Sequence, residues 1–257
     1  MNDNDILPPE GDRRRRIAFA ARLRATRERM PWWSSHLLGV GSVLVIVGGF
    51  LKLTLEVFED TRVTAIDDAI MTWVVAHRTP FLSHVAVDIT ALGSATLVTL
   101  FAFGALYVLL VVGDRRGAFH LLLALVGSSL MIAGLKGLLE RPRPLGHRLV
   151  DAGGYSYPSG HAVSAAVLYV TLALVGSKHF KGPAYRHMLV ALAVAVTLLV
   201  AASRVYLGVH YPSDITSGTA LGAGWAVLLT SVFAYDSERT ARTRALAEKP
   251  AAVPPAV

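Results

Sequence analysis

The sequence predicts an all-α integral membrane protein with six transmembrane helices. Three observations carry that expectation. Of 257 residues, 53% are hydrophobic and only 17% charged, whereas soluble domains average about 45–50% apolar and about 25% charged. Long uncharged runs recur along the chain, and basic residues gather in alternate connections between them. The mean hydropathy of +0.50 agrees. The chain has no cysteine, which excludes a disulfide scaffold and a thiolate metal site. In so apolar a chain, a formal net charge of +7 points to cytoplasmic loops on anionic lipid and away from nucleic acid.

The first apolar run, Leu37–Leu55, is broken only by Lys52, close enough to an end to snorkel. Leu92–Val112 holds 21 uncharged residues and Gly117–Leu135 holds 19. Ala162–Ser177 and Met188–Ala202 have 16 and 15, so both need flanking residues to approach the roughly 20 that cross a bilayer core. Ile215–Tyr235 is again 21 long. Six spans put both tails on one side with the connections Gly113–Arg116 and Lys178–His187. That side carries 17 basic and 9 acidic residues, the other 8 and 9. The positive-inside rule then makes the tails cytoplasmic.

Three regions follow. Residues 1–36 form a basic cytoplasmic tail, too long and polar for a signal-peptide n-region, so the first run is expected to be an uncleaved span. Its segment Arg13–Met30 fits a helix on anionic lipid and equally a solvated basic arm. Residues 37–235 form the six-span domain. Residues 236–257 form a cytoplasmic C-terminal tail, expected to be disordered because its end is rich in Pro and Ala. In the acidic stretch Glu56–Ala91, Ile70, Trp73, Val74 and His77 share a helical face suited to an interfacial helix.

Outside the tails, a group of charged residues lies in two connections that six spans place on the same extracytoplasmic face. The first contains Lys136, Arg143 and Pro144, then Pro158-Ser159-Gly160-His161. The second contains Ser203-Arg204, His210 and Asp214. Two arginines and a lysine are fixed cationic donors, and the guanidinium fork matches phosphate oxygens. Ser159 stands in N-cap position, so the amides of Ser159, Gly160 and His161 can face an anion at a helix N-terminus. A neutral imidazole can attack phosphorus while a carboxylate fixes its tautomer, as Asp214 could for His210, and a second histidine, His161, can protonate the leaving oxygen. The three cations can neutralise charge without a metal ion.

These blocks, in order and in register, resemble the signature of the type 2 phosphatidic acid phosphatase (PAP2) superfamily: Lys-x6-Arg-Pro, Pro-Ser-Gly-His and Ser-Arg-x5-His-x3-Asp. Every position matches, and the resemblance covers spans two to six. It implies a six-helix bacterial membrane lipid phosphatase that uses no cofactor or metal and forms a phosphohistidine. By the same resemblance His210 is the nucleophile, Asp214 its orienting partner and His161 the acid and later the base. Lys136, Arg143, Ser159, Gly160 and Arg204 hold the phosphate. The implied substrate is a lipid phosphate or diphosphate at the outer face of the inner (plasma) membrane. Undecaprenyl diphosphate comes first, then phosphatidic acid or phosphatidylglycerol phosphate. The alternatives are a lipid phosphotransferase with a hydroxyl acceptor and a non-enzymatic transporter. The remaining charged residues are given structural roles: Arg141, Arg148 and Lys52 as snorkelling anchors, and His84, His120, His147, His179 and His187 as surface or interfacial histidines. The Gly93-Ser94 pair is assigned to close helix packing.

Overall fold

The computed structural model describes the backbone of residues 32–146, 148–180 and 182–247, and side chains within 41–234 except at 42, 43, 61, 147 and 181. The expectations for Arg13–Met30, His147 and residues 248–257 lie outside what it describes. The chain divides into Met1–Gly39, of which only the opening turns of the first helix are described, and Val40–Val257, which holds the bundle.

The described residues form helices and connections with no strand. They are α1 (Trp32–Glu59), α2 (Thr61–Ala76), α3 (Pro80–Ala91), α4 (Ala95–Val111), α5 (Arg115–Leu139), α6 (Gly160–Gly176, continued by a 3₁₀ turn Ser177–His179), α7 (Pro183–Tyr206) and α8 (Pro212–Ala247). Their starts carry ordinary capping chemistry. The side chains of Asp60, Thr79, Ser94 and Asp114 accept from first-turn amides of α2 to α5. Proline opens α3, α7 and α8, where its missing N–H costs nothing.

Four of these helices, α5 to α8, are long and apolar enough to cross a membrane. A fifth span arises if α3 and α4, bent by 45° at their break, count as one. Leu37–Leu55 falls inside α1, so the expected six spans are roughly consistent with this count. The two short runs become full-length helices: α6 with its 3₁₀ turn covers 20 residues and α7 covers 24. One expectation is overturned. α8 continues to Ala247, so residues 236–247 are helical and not disordered. No Pro or Gly interrupts that stretch, and its Ala, Arg and Glu favour helix.

α6 lies at the centre. Ala162, Val163, Ala165, Ala166, Val167 and Leu168 are fully enclosed. Lipid tails are as apolar as these side chains, so helices associate here by close packing. Small residues allow it. A Cβ on Gly218 of α8 would lie 2.9 Å from the Ser159 carbonyl, and one on Gly222 would lie 2.6 Å from the Val163 carbonyl. A Cβ on Gly93, at the bend, would meet Val200 at 2.5 Å and the His161 carbonyl at 3.1 Å, as expected for a packing glycine. Trp225 covers Gly127 and donates to the Ala124 carbonyl at 2.9 Å, tying α8 to α5.

In α2 Trp73 is exposed and stacks on His77, with ring centroids 4.4 Å apart. His120 departs from the expected surface role. It is buried and stacks on Phe233 at 4.7 Å.

Candidate active site

The connection between α5 and α6 is braced before any ligand arrives. Ser156 donates from its amide to the Arg141 carbonyl (2.8 Å) and from its hydroxyl to the Pro142 carbonyl (2.9 Å). Arg143 donates to the carbonyls of Gly153, Gly154 and Val209. Tyr157 is buried against Phe50 and Phe58 and shares a 2.7 Å hydrogen bond with Thr54 of α1. This holds Pro158-Ser159-Gly160 at the start of α6.

The motif residues sit mostly on helix ends, not in open loops. Lys136 is in the last turn of α5, His161 in the first turn of α6, and Arg204 in the last turn of α7. Asp214 is in the first turn of α8. His210 occupies the short link between α7 and α8. The Asp214 side chain accepts from the Tyr211 amide at 2.9 Å, the reach-back of a helix-capping carboxylate. The same Oδ2 lies 3.3 Å from His210 Nδ1. Arg143 Nη1 is 3.1 Å from His210 Nε2. A proton on Nδ1, donated to Asp214, satisfies both contacts and leaves the Nε2 lone pair facing Arg143. His210 and Asp214 are 1% and 0% exposed. Burial pulls the His210 imidazole down to about 4 against the opposing influence of Asp214, with Arg143 and Arg204 pulling the same way as burial. At neutral pH it is an uncharged base.

The other motif groups surround this ring. Arg204, His210, Arg143 and Lys136 all act electrostatically on His161. Lys136 donates to the Tyr155 carbonyl. A Cβ on Gly160 would find nothing nearer than 3.7 Å, so the helix start is open on that side. Two buried polar atoms, Ser159 Oγ and Arg204 Nε, have no hydrogen-bond partner. Leaving such a group unpaired costs about 1–3 kcal/mol, and an oxyanion reaching both removes that cost. One part of the expected cradle is different. The Ser159 amide donates to the Asp214 carbonyl at 3.1 Å, because Gly218 lets α8 approach the start of α6. Ser159 therefore offers its hydroxyl and not its amide.

Three residues that are not specified by the motifs join the cluster. Thr90 of α3 accepts from Arg204 Nη1 at 2.8 Å. Arg141 is no snorkelling anchor. It is buried, with Nη1 2.5 Å from Asp214 and Nη2 2.8 Å from Asp67 of α2. Burial opposes its charge, yet Asp214 and Asp67 hold its pKa above the ordinary arginine value. Its doublet with Arg143 in Arg-Pro-Arg-Pro was visible in the sequence; Asp67 and Thr90 had no spacing signal. Arg148 is exposed as expected.

The PAP2 superfamily profile matches residues 117–238. Phosphatidylglycerophosphatase B of Bacillus subtilis (strain 168) is 32% identical over 180 residues, 67% of this chain and 86% of that protein. This chain belongs to the PAP2 superfamily. A crystal structure of a transmembrane PAP2-type phosphatidylglycerolphosphate phosphatase from Bacillus subtilis superposes with a TM-score of 0.70 at 29% identity. It covers 77% of this chain and 96% of that one. An undecaprenyl-diphosphatase of Sulfolobus acidocaldarius is 40% identical over 76 residues, 30% of this chain and 32% of that protein. The PAP2 fold thus accounts for the helical membrane architecture.

Proposed function

We propose that this membrane lipid phosphatase removes the terminal phosphate of a lipid phosphate or diphosphate by way of His210. The observation that carries the reading is the buried His210 ring, with Asp214 on Nδ1 and cations converging near Nε2. In the first step Nε2 attacks phosphorus in line, the bond from phosphorus to the lipid oxygen breaks, and His161 gives that oxygen a proton. Asp214 supports the positive charge growing on the ring. In the second step His161 takes a proton from water, whose oxygen attacks phosphorus and breaks the N–P bond. His210 and inorganic phosphate are regenerated. Lys136, Arg143, Arg204, the Ser159 hydroxyl and the Gly160 amide hold the equatorial oxygens, where the transition state spreads its charge. The phosphate displaces the contact of Arg143 with Nε2, turning that guanidinium from a guard on the lone pair into a phosphate donor.

These three cations do the work of charge neutralisation, so turnover persists in excess chelator. The site faces outward and both tails lie in the cytoplasm of the inner membrane, where the basic tail meets anionic lipid. An apolar groove of about 430 Å³, lined in part by Val74, Ile89, Ser203, Pro212 and Ile215, runs beside the Thr90–Arg204 contact and suits a lipid chain. The relative matched over most of its length is named for phosphatidylglycerol phosphate. That substrate therefore ranks ahead of undecaprenyl diphosphate, whose namesake matches a third of its length. The test is phosphate release from phosphatidylglycerol phosphate, phosphatidic acid and undecaprenyl diphosphate, each presented alone in detergent with chelator. Release without an added acceptor supports hydrolysis. Loss of phosphate from the lipid only when a hydroxyl acceptor is supplied, with that phosphate recovered on the acceptor, identifies a transferase, and no dephosphorylation of any of them sinks the reading.

A further inference from the structure

We propose that Arg141, at an unspecified position within the first motif block, and Asp67, outside all three blocks, are positioning residues that hold the Asp214 carboxylate for its work on His210. The proposal rests on the reading of His210 as the phosphoryl acceptor. Asp214 has two oxygens with separate tasks. Oδ2 faces His210 Nδ1 and accepts from the Tyr211 amide. Oδ1 accepts from Arg141 Nη1 at 2.5 Å. The carboxylate therefore cannot rotate away from the imidazole without breaking a buried, charge-assisted bond.

Arg141 is itself held from the other side. Its Nη2 donates to Asp67 Oδ2 at 2.8 Å, and Asp67 Oδ1 accepts from the Ser213 amide at 2.9 Å, one residue before Asp214. Arg141 Nη1 also donates to the Ser213 hydroxyl at 2.8 Å, and its guanidinium lies over the Tyr211 ring, 4.3 Å from the centroid. Asp67, Arg141, Ser213 and Asp214 are all buried. A lysine has no planar fork with which to reach two carboxylates at once.

The charges explain why a second carboxylate is present. A lone guanidinium on Asp214 would offset the negative charge that His210 needs as its ring becomes cationic. Asp67 supplies a matching charge to Arg141, so Asp214 is fixed in place and the buried trio keeps one net negative charge beside His210. The other groups facing His210 are Arg143 from the α5–α6 connection, Arg204 from α7 and His161 from α6, with Lys136 acting on the same cluster. All are left untouched by the substitutions below.

The test uses full-length enzyme in detergent and four variants: Asp67→Asn, Arg141→Lys, Arg141→Met and His210→Ala. A positioning role predicts that kcat falls about 10- to 100-fold in the first three, the usual cost of losing an outer partner of a reacting group, while KM stays within about threefold. The acid limb of the kcat/KM profile separates positioning from mere support. Asp67→Asn removes a negative charge and moves that limb to lower pH. Arg141→Met removes a positive charge and moves it to higher pH. Arg141→Lys lowers kcat without moving it. If Arg141→Met does not fold, the contrast between Asp67→Asn and Arg141→Lys decides. An unchanged kcat in Arg141→Lys, or an acid limb that does not move in Asp67→Asn, overturns the proposal. Limbs moving in the same direction for Asp67→Asn and Arg141→Met also overturn it. Inactive His210→Ala beside any of these results leaves the phosphohistidine reading standing, whereas active His210→Ala overturns both.

Discussion

Three arginines within eight residues, Arg141, Arg143 and Arg148, meet three different fates. Arg148 is exposed and donates to the Pro144 carbonyl at 2.9 Å. Arg143 touches the His210 ring, and Arg141 is locked between two carboxylates. The motif spacing distinguished Arg143, but Arg141 looked like an anchor because its partner Asp67 lies 74 positions away in sequence. The same holds for Thr90, which is 114 positions from Arg204. Pairings this remote leave no periodicity to read. Arg204 has an unpaired buried Nε, so Arg204→Ala should lower kcat/KM about 10²- to 10³-fold, the loss typical of a donor to a developing oxyanion. Arg148→Ala should stay within about threefold of wild type, because an exposed side chain away from the reacting atoms contributes little transition-state stabilisation. Comparable losses in the two would undo the assignment. His210 also sets a pH expectation. Its pKa lies near 4, below the ordinary 6.5, so the imidazole stays neutral above that value. The nucleophile's acid limb in kcat/KM should appear near pH 4; a limb near 6.5 would mean the ring is solvated and not buried.

Among the elements, α6 and α8 decide whether the site assembles. Their approach depends on Gly218 and Gly222, four residues apart on one face of α8, and on the small side chains of α6 opposite. Gly222→Ala places a methyl 2.6 Å from a backbone carbonyl and 2.8 Å from Ala166 Cβ, which should destabilise by about 1–3 kcal/mol and move Asp214 relative to Ser159. Gly134 of α5 has nothing within 4 Å of such a methyl, so Gly134→Ala should be neutral or stabilise by up to about 1 kcal/mol. Thermal unfolding in detergent, with kcat alongside, checks both. The helices were legible in the sequence as apolar runs, yet their lengths were not. α6 and α7 extend beyond their runs in part because Gly160-His161 and Ser203-Arg204 themselves form terminal turns; α7 also takes in Pro183–His187 at its start. A hydropathy window stops where that chemistry starts. The break between α3 and α4 falls where the expected run begins, at Leu92; what stayed hidden was that Pro80–Ala91 before it is also helix.

At the scale of the molecule, the bundle gathers one chemistry at one end. His161, Lys136, Arg204 and Asp214 come from the terminal turns of four different helices, so no single helix makes the site. The opposite end carries ordinary surface pairing, such as His179 with Asp114 at 3.1 Å. The distribution of lysine and arginine predicts which end faces the cytoplasm, and the absence of cysteine makes the prediction simple to check. Leu145, exposed two residues after Arg143, and Tyr185, exposed at the start of α7, mark the two ends. In intact cells a membrane-impermeant maleimide should label Leu145→Cys and spare Tyr185→Cys until the membrane is opened. The reverse pattern would put the site in the cytoplasm.

The most direct measurement is acid- and alkali-stability analysis of the phosphoenzyme, trapped by rapid quench after mixing with lipid labelled in its terminal phosphate. The account predicts a label that survives alkali, is lost in acid, maps to His210 and is missing from His210→Ala. Undiminished turnover with no such label on His210 would contradict it.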